Sequence, residues 1–258
     1  MSSRTDRRGK PSVLRRPSGP DAVQPADFAG TYSFYHDGWR GWLVLEHQEG
    51  PHLTGSYRGD PGQGDFAVTA EVKNNPPHAV SITIHAFNWM VQQEFNGYLL
   101  RASGNGIAGS TVWAGDRQPY GFFARKTASL VLGRFPGAGE PVRPEDFGGR
   151  YAVFDDGMPG VLSLAADAEG AIRGSFWTEG SDRAMAVSGR VDETVAHAVE
   201  LMIGEPAAVG GRKFVGYLFS KTKNAIAGWS AVGDVATGCY MTKLSPPKDA
   251  RPEPSSGA

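Results

Sequence analysis

The side chains that could act as nucleophiles or metal ligands lie far apart in this sequence. Cys239 is the single cysteine, and a thiol nucleophile needs a base beside it, which the sequence does not identify. We interpret Cys239 as a small packing residue. His78 and His197 each begin an "HAV" triplet, but neither has a second histidine or a carboxylate cluster near it in the sequence. We therefore predict no metal and no cofactor, and expect both imidazoles to cap a turn or to be exposed.

Three short patterns resemble reactive groups but are typical of hairpin turns. Asp155-Asp156 looks like a carboxylate pair, yet Asp156-Gly157, like Asp37-Gly38, is a dipeptide of tight hairpins with positive φ at the glycine. We therefore expect these carboxylates to be solvated. "GNGIAG" at 104–109 resembles a phosphate-binding loop, but it lacks the Lys-Ser/Thr ending and the strand–loop–helix context. We predict a hairpin turn there. No Ser-His-Asp arrangement can be read from the sequence, because such residues meet only in space.

Composition indicates an all-β protein without a strong electric field. The 258 residues include Lys+Arg 26 and Asp+Glu 27, so the net charge argues against nucleic acid or an anionic membrane as a partner. Gly 35, Pro 18 and many short apolar runs favour strands joined by tight turns. One cysteine excludes an intramolecular disulfide, and no secretory signal or long apolar run is present. We predict a cytoplasmic protein.

The sequence repeats itself at an offset of 119 residues. "FNGYLLRASGNGIAG" at 95–109 returns as "FVGYLFSKTKNAIAG" at 214–228, and the two Asp-Gly pairs and the two "HAV" triplets align in the same register. The second copy then lacks two residues, so that "GFFARK" at 121–126 aligns with "GCYMTK" at 238–243. The chain therefore contains two copies of one unit.

Three segments fall outside the copies and are rich in Pro, Ser and charge, which does not support a packed core. The predicted division is a disordered basic arm at 1–26, a first repeat at 27–127, a linker at 128–145, a second repeat at 146–244 and a disordered tail at 245–258. The arm carries six Lys or Arg residues against Asp6 and Asp21, and could contact a polyanion or simply solubilise the protein.

Each copy contains eight alternating apolar runs separated by turn residues. Sequential hairpins of this length predict an up-and-down antiparallel sheet, and eight strands are enough for such a sheet to close with room for one small ligand. The predicted fold is all-β, with two tandem eight-stranded antiparallel up-and-down β-barrels. We expect the two barrels to pack together as a pseudo-dimer, much as identical subunits would.

Four segments of the first copy resemble the avidin and streptavidin family. They are "GTY" at 30–32, "LTGSY" at 53–57, "FNGYL" at 95–99 and "GFFARK" at 121–126. The resemblance implies an avidin-like barrel with a biotin site in its interior. At the polar biotin-contact positions, this sequence has Phe34, Gly41, Tyr57, Gln93 and a residue near Tyr120 in the first copy, and Val153, Gly160, Phe176 and Arg212 in the second. Only Tyr57 matches the family, and unpaired polar groups cost about 1–3 kcal/mol each, so we do not expect tight biotin binding.

The aromatic residues expected inside the barrels suggest a site for a small, largely apolar molecule. The candidate ligand-binding residues are Phe34, Trp42, Tyr57, Gln93, Phe95 and Tyr120 in the first copy and Phe176, Arg212 and Phe214 in the second. We expect the first copy to hold the working site, because Tyr57 and Gln93 add polar groups to one inner wall. A barrel packed shut by its own side chains is the open alternative.

Two other functions remain compatible with the sequence. A barrel could act as a cofactor-free cyclase or isomerase that folds a hydrophobic substrate and excludes water from it, and such an enzyme needs no recognisable catalytic motif. The protein could also be an interaction module that uses its outer surfaces and the basic arm. A homo-oligomer formed through barrel surfaces is left open.

Overall fold

A computed structural model describes residues 23–59, 64–86, 91–113, 115, 117–128, 137–204 and 211–244. Most of the predicted arm, part of the linker and all of the tail lie outside these residues. Within them the helices are two 3₁₀ turns, Pro25–Phe28 and Pro144–Phe147. Neither turn has the length or apolarity of a membrane-spanning helix.

The first copy forms a closed antiparallel barrel in which every strand pairs with the next and the eighth returns to the first. Its strands are β1 (Gly30–His36), β2 (Trp39–His47), β3 (His52–Arg58), β4 (Phe66–Val72), β5 (Ala79–Ala86), β6 (Val91–Leu99), β7 (Gly106–Val112) and β8 (Pro119–Lys126). Closure leaves no strand of the barrel with an unpaired edge.

The second copy forms an equivalent closed barrel. Its strands are β9 (Gly149–Asp155), β10 (Met158–Ala166), β11 (Ala171–Thr178), β12 (Met185–Val191), β13 (Ala198–Ile203), β14 (Arg212–Leu218), β15 (Ala225–Val232) and β16 (Val235–Lys243). The register repeats with the sequence, since Phe34 pairs with Gly41 in the first barrel and Val153 with Gly160 in the second. The predicted fold class is confirmed.

Each barrel is covered at the end where its first strand begins. The turn at Pro25–Phe28 buries Phe28 in the first core, and the Tyr32 hydroxyl donates a hydrogen bond of 2.6 Å to the Phe28 carbonyl. In the second barrel the Tyr151 hydroxyl donates to the Phe147 carbonyl over 2.9 Å. Any opening into a barrel interior must therefore lie at the opposite end, where β1 and β9 finish.

The outer faces of the two barrels pack against each other through aromatic rings. Phe123 stacks on Tyr240 with ring centroids 4.3 Å apart and planes 7° from parallel. Tyr35 extends the stack on one side, at 4.7 Å from Phe123, and Phe154 extends it on the other, at 5.0 Å from Tyr240. Tyr35 and Phe154 are equivalent in the two repeats, as are Phe123 and Tyr240, so the contact has the pseudo-twofold form of a symmetric dimer.

Two histidines close this interface, one from each copy. The His78 ring donates to the carbonyl of Ala236 and the His197 ring to that of Pro119, both over 2.7 Å. Both side chains are buried. The expectation that they would be exposed or cap a turn is wrong, because a buried carbonyl at the contact needs a donor from the other barrel.

The two Asp-Gly turns also serve the interface. Asp37 and Asp156 have φ of 45° and 50°, and the glycines that follow them are also positive in φ, as a type I′ hairpin requires. The hairpins are as predicted, but the carboxylates are not simply solvated. Asp37 accepts hydrogen bonds from the backbone and hydroxyl of Ser220, and Asp156 accepts from the backbone and guanidinium of Arg101.

Candidate functional site

The middle of the first barrel is filled by its own aromatic rings. Phe34 lies 5.0 Å from Phe95 and 5.5 Å from Phe122, measured between ring centroids, and all three side chains are fully buried. Phe95 and Phe122 are 5.3 Å apart and nearly perpendicular, the edge-to-face packing that aromatic pairs favour. Phe34 and Phe95 thus lie inside the barrel, but as parts of a packed core.

Tyr57 lies above this core and closes it. A methyl group at Gly41 would lie 2.4 Å from the Tyr57 ring, so the glycine makes room for the phenol to fold across the interior. The Tyr57 hydroxyl is 3.3 Å from Nε2 of His36. Burial raises the pKa of Tyr57 above its usual value and lowers the pKa of His36 to about 4. Both groups are therefore neutral at physiological pH.

Above His36 the barrel opens into a cavity of about 190 Å³. Its aromatic walls are Trp39 and Trp113, whose ring centroids are 5.9 Å apart with planes at 63°, together with Tyr120. Tyr120 is supported from the second barrel, since His197 stacks on it at 4.6 Å. These residues stand at the ends of β1, β2, β7 and β8 that surround the mouth.

Polar groups line the cavity floor. The Gln93 amide donates to the Thr111 hydroxyl over 3.3 Å, and that hydroxyl donates to the backbone carbonyl of Glu94 over 2.5 Å. Gln93 and Thr111 thereby hold each other in place beside the His36 imidazole. An amide, a hydroxyl and a neutral imidazole can orient a ligand by hydrogen bonds without placing a formal charge at the floor.

The rim of the cavity combines residues of both barrels. Asp37 comes from the β1–β2 turn and Lys221 from the connection between β14 and β15. Burial raises the pKa of Asp37, although its hydrogen bonds from Ser220 act in the opposite direction. The Lys221 ammonium donates to the carbonyl of Ala138 over 3.0 Å. The site is complete only when the two barrels are docked together.

The predicted site residues therefore divide into three groups. Gln93 and Tyr120 line the cavity, and Tyr57 lies directly beneath it against His36. Phe34 and Phe95 belong to the packed core. Trp42 is wrong as an interior residue, because the inward positions of β2 are Gly41, Leu43 and Leu45 and its side chain points the other way.

Six lining residues were not predicted as ligand-binding from the sequence. They are His36, Asp37, Trp39, Thr111, Trp113 and Lys221. His36 follows Phe34 by two residues on the same strand, and that alternation is the one signal that could have revealed it. The two tryptophans flank turns, and no local pattern shows that those turns meet at one mouth.

The second barrel carries a different set of groups at the equivalent mouth. Asp155 takes the place of His36 and forms an ion pair with Arg212, which takes the place of Gln93. The Ser230 hydroxyl donates to Asp155 and lies 3.0 Å from the Thr237 hydroxyl. Asp155 is only 4% exposed, so the expectation that it would be a solvated turn residue is wrong. Arg212 reaches inward as predicted and meets a buried carboxylate.

Beneath this ion pair the second barrel is packed. Phe176 and Phe214 are buried in its core together with Cys239. Burial raises the pKa of Cys239 to about 12, so the thiol stays protonated and acts as the packing residue expected from the sequence. Among the described residues, no three His, Cys, Asp or Glu side chains are grouped to hold a metal ion.

Acid should destabilise the protein through His36. Its pKa of about 4 in the folded protein lies below the value of about 6.5 in an unfolded chain. As the pH falls below ~6.5, His36 therefore takes up a proton in the unfolded chain before it does so in the folded protein. The free energy of unfolding then loses the contribution of the neutral His36 progressively until the pH reaches about 4. We expect His36→Phe to reduce this decline when the free energy of unfolding is measured by urea titration across this range. Replacing the exposed His52 in the same way is the control, and an unchanged decline in His36→Phe would contradict the prediction.

Comparisons with known proteins give no functional assignment. No protein-family profile and no curated protein matches the sequence significantly. Among solved structures, the chain is similar to the crystal structure of a protein of unknown function from the DUF3598 family of Nostoc punctiforme. The two share 10% identity over 86% of this chain and 99% of that one, with a TM-score of 0.30. A likeness at this level carries no argument about family or function.

Proposed function

We propose that the protein binds a small, largely apolar molecule at the mouth of the first barrel. The observation that carries this proposal is the cavity of about 190 Å³, walled by two indoles and a phenol with polar groups at its floor. Ligand sites combine apolar walls with a few placed polar groups in this way. The volume is below the roughly 300–1,000 Å³ of drug-sized sites, which favours a ligand of few atoms.

The second barrel is not the proposed container. Its mouth holds the Asp155–Arg212 ion pair, with the Ser230 hydroxyl committed to the carboxylate. A neutral apolar ligand would have to displace paired charges there, which leaves a buried carboxylate without its partner. The division of roles between the copies follows from the residues at equivalent positions.

We further propose that both barrels are related to the avidin and streptavidin family. The motifs at 30–32, 53–57 and 95–99 support this relation, and the closed eight-stranded barrels are compatible with it. Phe34 and Phe95 fill the interior, so a ligand would sit higher than a biotin-like molecule deep in the barrel. A single cysteine allows no intramolecular disulfide, so nothing argues for an oxidising compartment, and the cytoplasm is the proposed location.

Catalysis is a second candidate, favoured by the contact between His36 and Tyr57. A neutral imidazole at the floor of a cavity can accept a proton from a bound substrate, and the adjacent phenol can donate or accept a hydrogen bond. Enclosure by Trp39 and Trp113 would keep water from a reactive chain. These groups fit a proton-transfer isomerase or cyclase that works on the same small apolar molecule.

The proposal is tested by native mass spectrometry of the protein purified from its own host. We expect a retained small molecule, and we expect Gln93→Leu to weaken its retention by about threefold to tenfold, since one hydrogen bond contributes about 0.5–1.5 kcal/mol. Gln92→Leu is the matched control, because Gln92 is the neighbouring glutamine on the exposed face of the same strand. The bare protein mass from every preparation, or equal losses in both variants, would contradict the proposal.

A further inference from the structure

The walls of the cavity in the first barrel form an aromatic corner. The planes of Trp39 and Trp113 meet at 63° with centroids 5.9 Å apart, so the two indoles bound the space from two directions. The His36 ring lies 5.6 Å from Trp39 and closes the corner from below. Tyr120 adds a third wall and is held against His197 by stacking. Aromatic rings that border a common space can offer their electron-rich faces to a cation placed there.

This space suits a cation that carries methyl groups better than a neutral hydrocarbon. The negative face of an aromatic ring attracts a positive charge within about 6 Å, and the attraction grows when the charge is desolvated. An ammonium ion with free N–H groups would lose hydrogen bonds to water among these walls. An alkylated ammonium has few or no N–H groups to satisfy, and its methyl groups pack on the rings as apolar surface.

The charges around the cavity are compatible with such a ligand. His36 is neutral at physiological pH because burial lowers its pKa to about 4, so no positive charge lies at the floor. The Asp37 carboxylate at the rim supplies a negative charge. Lys221 adds a positive charge on the same rim, and its ammonium is drawn towards the carbonyl of Ala138. A ligand with a cationic head and a polar or anionic tail could place the head on the rings and the tail at Lys221.

We propose that the cavity between Trp39, Trp113 and Tyr120 recognises a small molecule with an alkylated ammonium group, as in choline or a betaine. This assignment rests on the proposed small-molecule function of the first barrel and names its ligand class. The size agrees, because a cavity of about 150 Å³ can hold benzene and this one measures about 190 Å³. A trimethylammonium head with a short tail is of comparable bulk.

The test compares choline with its neutral isostere, in which carbon replaces the nitrogen, by titration calorimetry on the full chain. We expect choline to bind about twofold to thirtyfold more tightly, because cation–π contacts contribute about 0.5–2 kcal/mol when partly desolvated. Trp113→Leu should lower the choline affinity by about threefold to tenfold and leave the isostere nearly unchanged. Trp113→Phe should retain most of the preference, since it keeps an aromatic face.

Val232→Leu is the matched control, because Val232 occupies the equivalent position at the mouth of the second barrel and is 42% exposed. Equal affinity for choline and the isostere would overturn the ammonium assignment and leave the small apolar ligand standing. Failure of choline to bind would also overturn it, whereas the host-derived ligand seen by mass spectrometry decides the broader proposal separately. If the preference for choline survives Trp113→Leu, the cation lies elsewhere, and its assignment to the aromatic corner is overturned.

Discussion

Arg212→Leu should destabilise the protein by about 3 kcal/mol. The substitution leaves Asp155 without its ionic partner while the carboxylate stays buried, and breaking a buried pair in this way typically costs about 3–5 kcal/mol. We expect the lower end because the Arg212 side chain is 33% exposed, so water can reach part of the vacated space. In a chain of this size the loss corresponds to a fall in the melting temperature of about 6–12 °C, measurable by calorimetry.

The double variant Asp155→Leu, Arg212→Leu separates the ion pair from simple packing. Replacing both partners removes the stranded carboxylate, and such replacements are often neutral or stabilising. We therefore expect the double variant to be more stable than Arg212→Leu alone. The Ser230 hydroxyl still has Thr237 as a partner at 3.0 Å, so little else is left unpaired. A double variant less stable than the single one would show that the unpaired Asp155 carboxylate is not the source of the loss.

The two mouths illustrate how a duplicated barrel can acquire two roles. His36 and Gln93 in the first copy correspond to Asp155 and Arg212 in the second, and Thr111 corresponds to Ser230. The backbone and register are the same in both barrels. The neutral side chains of His36 and Gln93 do not form an ion pair and leave space for a ligand. The side chains of Asp155 and Arg212 bind each other instead, because opposite charges form strong hydrogen-bonded pairs. The residues at these equivalent positions therefore distinguish the candidate site of the first barrel from the ion-paired mouth of the second.

The fold was predictable because its signals are local or repeated. Alternating apolar runs mark each strand within a few residues, and the internal offset of 119 residues shows the whole pattern twice. Strand count then decides between an open sheet and a closed barrel. The error at Trp42 was one of phase, because Gly41, Leu43 and Leu45 alternate on the inward face and Trp42 lies between them on the outer face.

The candidate site was predictable only in part, because it depends on closure and docking. Tyr57 and Gln93 were found through their position on strands that face the interior. Trp39 and Trp113 lie at turns more than 70 residues apart in the chain, and they meet only when the barrel closes. Lys221 reaches the rim from the other barrel, and single-sequence patterns contain no information about how two barrels dock.

The interface residues did leave a signal, which was their repetition. His78 and His197 occupy equivalent places, as do the aspartates of the two Asp-Gly turns. Each pair performs the same task in both directions across the contact. In this protein the repetition of these two polar pairs therefore marks the surface at which the copies pack.

That surface also contains two glycines at which the barrels approach closely. A methyl group at Gly121 would lie 2.4 Å from the carbonyl oxygen of Ala227 and 3.0 Å from that of Tyr217, both in the other barrel. The equivalent Gly238 lies similarly close, at 2.8 Å from the carbonyl oxygen of Tyr98 and 3.1 Å from that of Ala108. Backbone oxygens in paired strands cannot move aside as flexible side chains can, so any side chain here must separate the barrels.

Gly121→Val should therefore destabilise the protein by about 3 kcal/mol, at the upper end of the usual range for overpacking, and lower the melting temperature by about 6–12 °C. Valine is a better strand residue than glycine, so strand propensity alone would predict the opposite sign. Gly64→Val is the control, because nothing lies within 4 Å of a methyl group at Gly64.

Hydrogen exchange should locate the damage caused by Gly121→Val. We expect protection to be lost at the amides of Ser220 and Ala102, which donate to Asp37 and Asp156 across the contact. Unchanged protection at those two amides, or equal losses of stability in both valine variants, would mean that the close approach at Gly121 does not hold the barrels together.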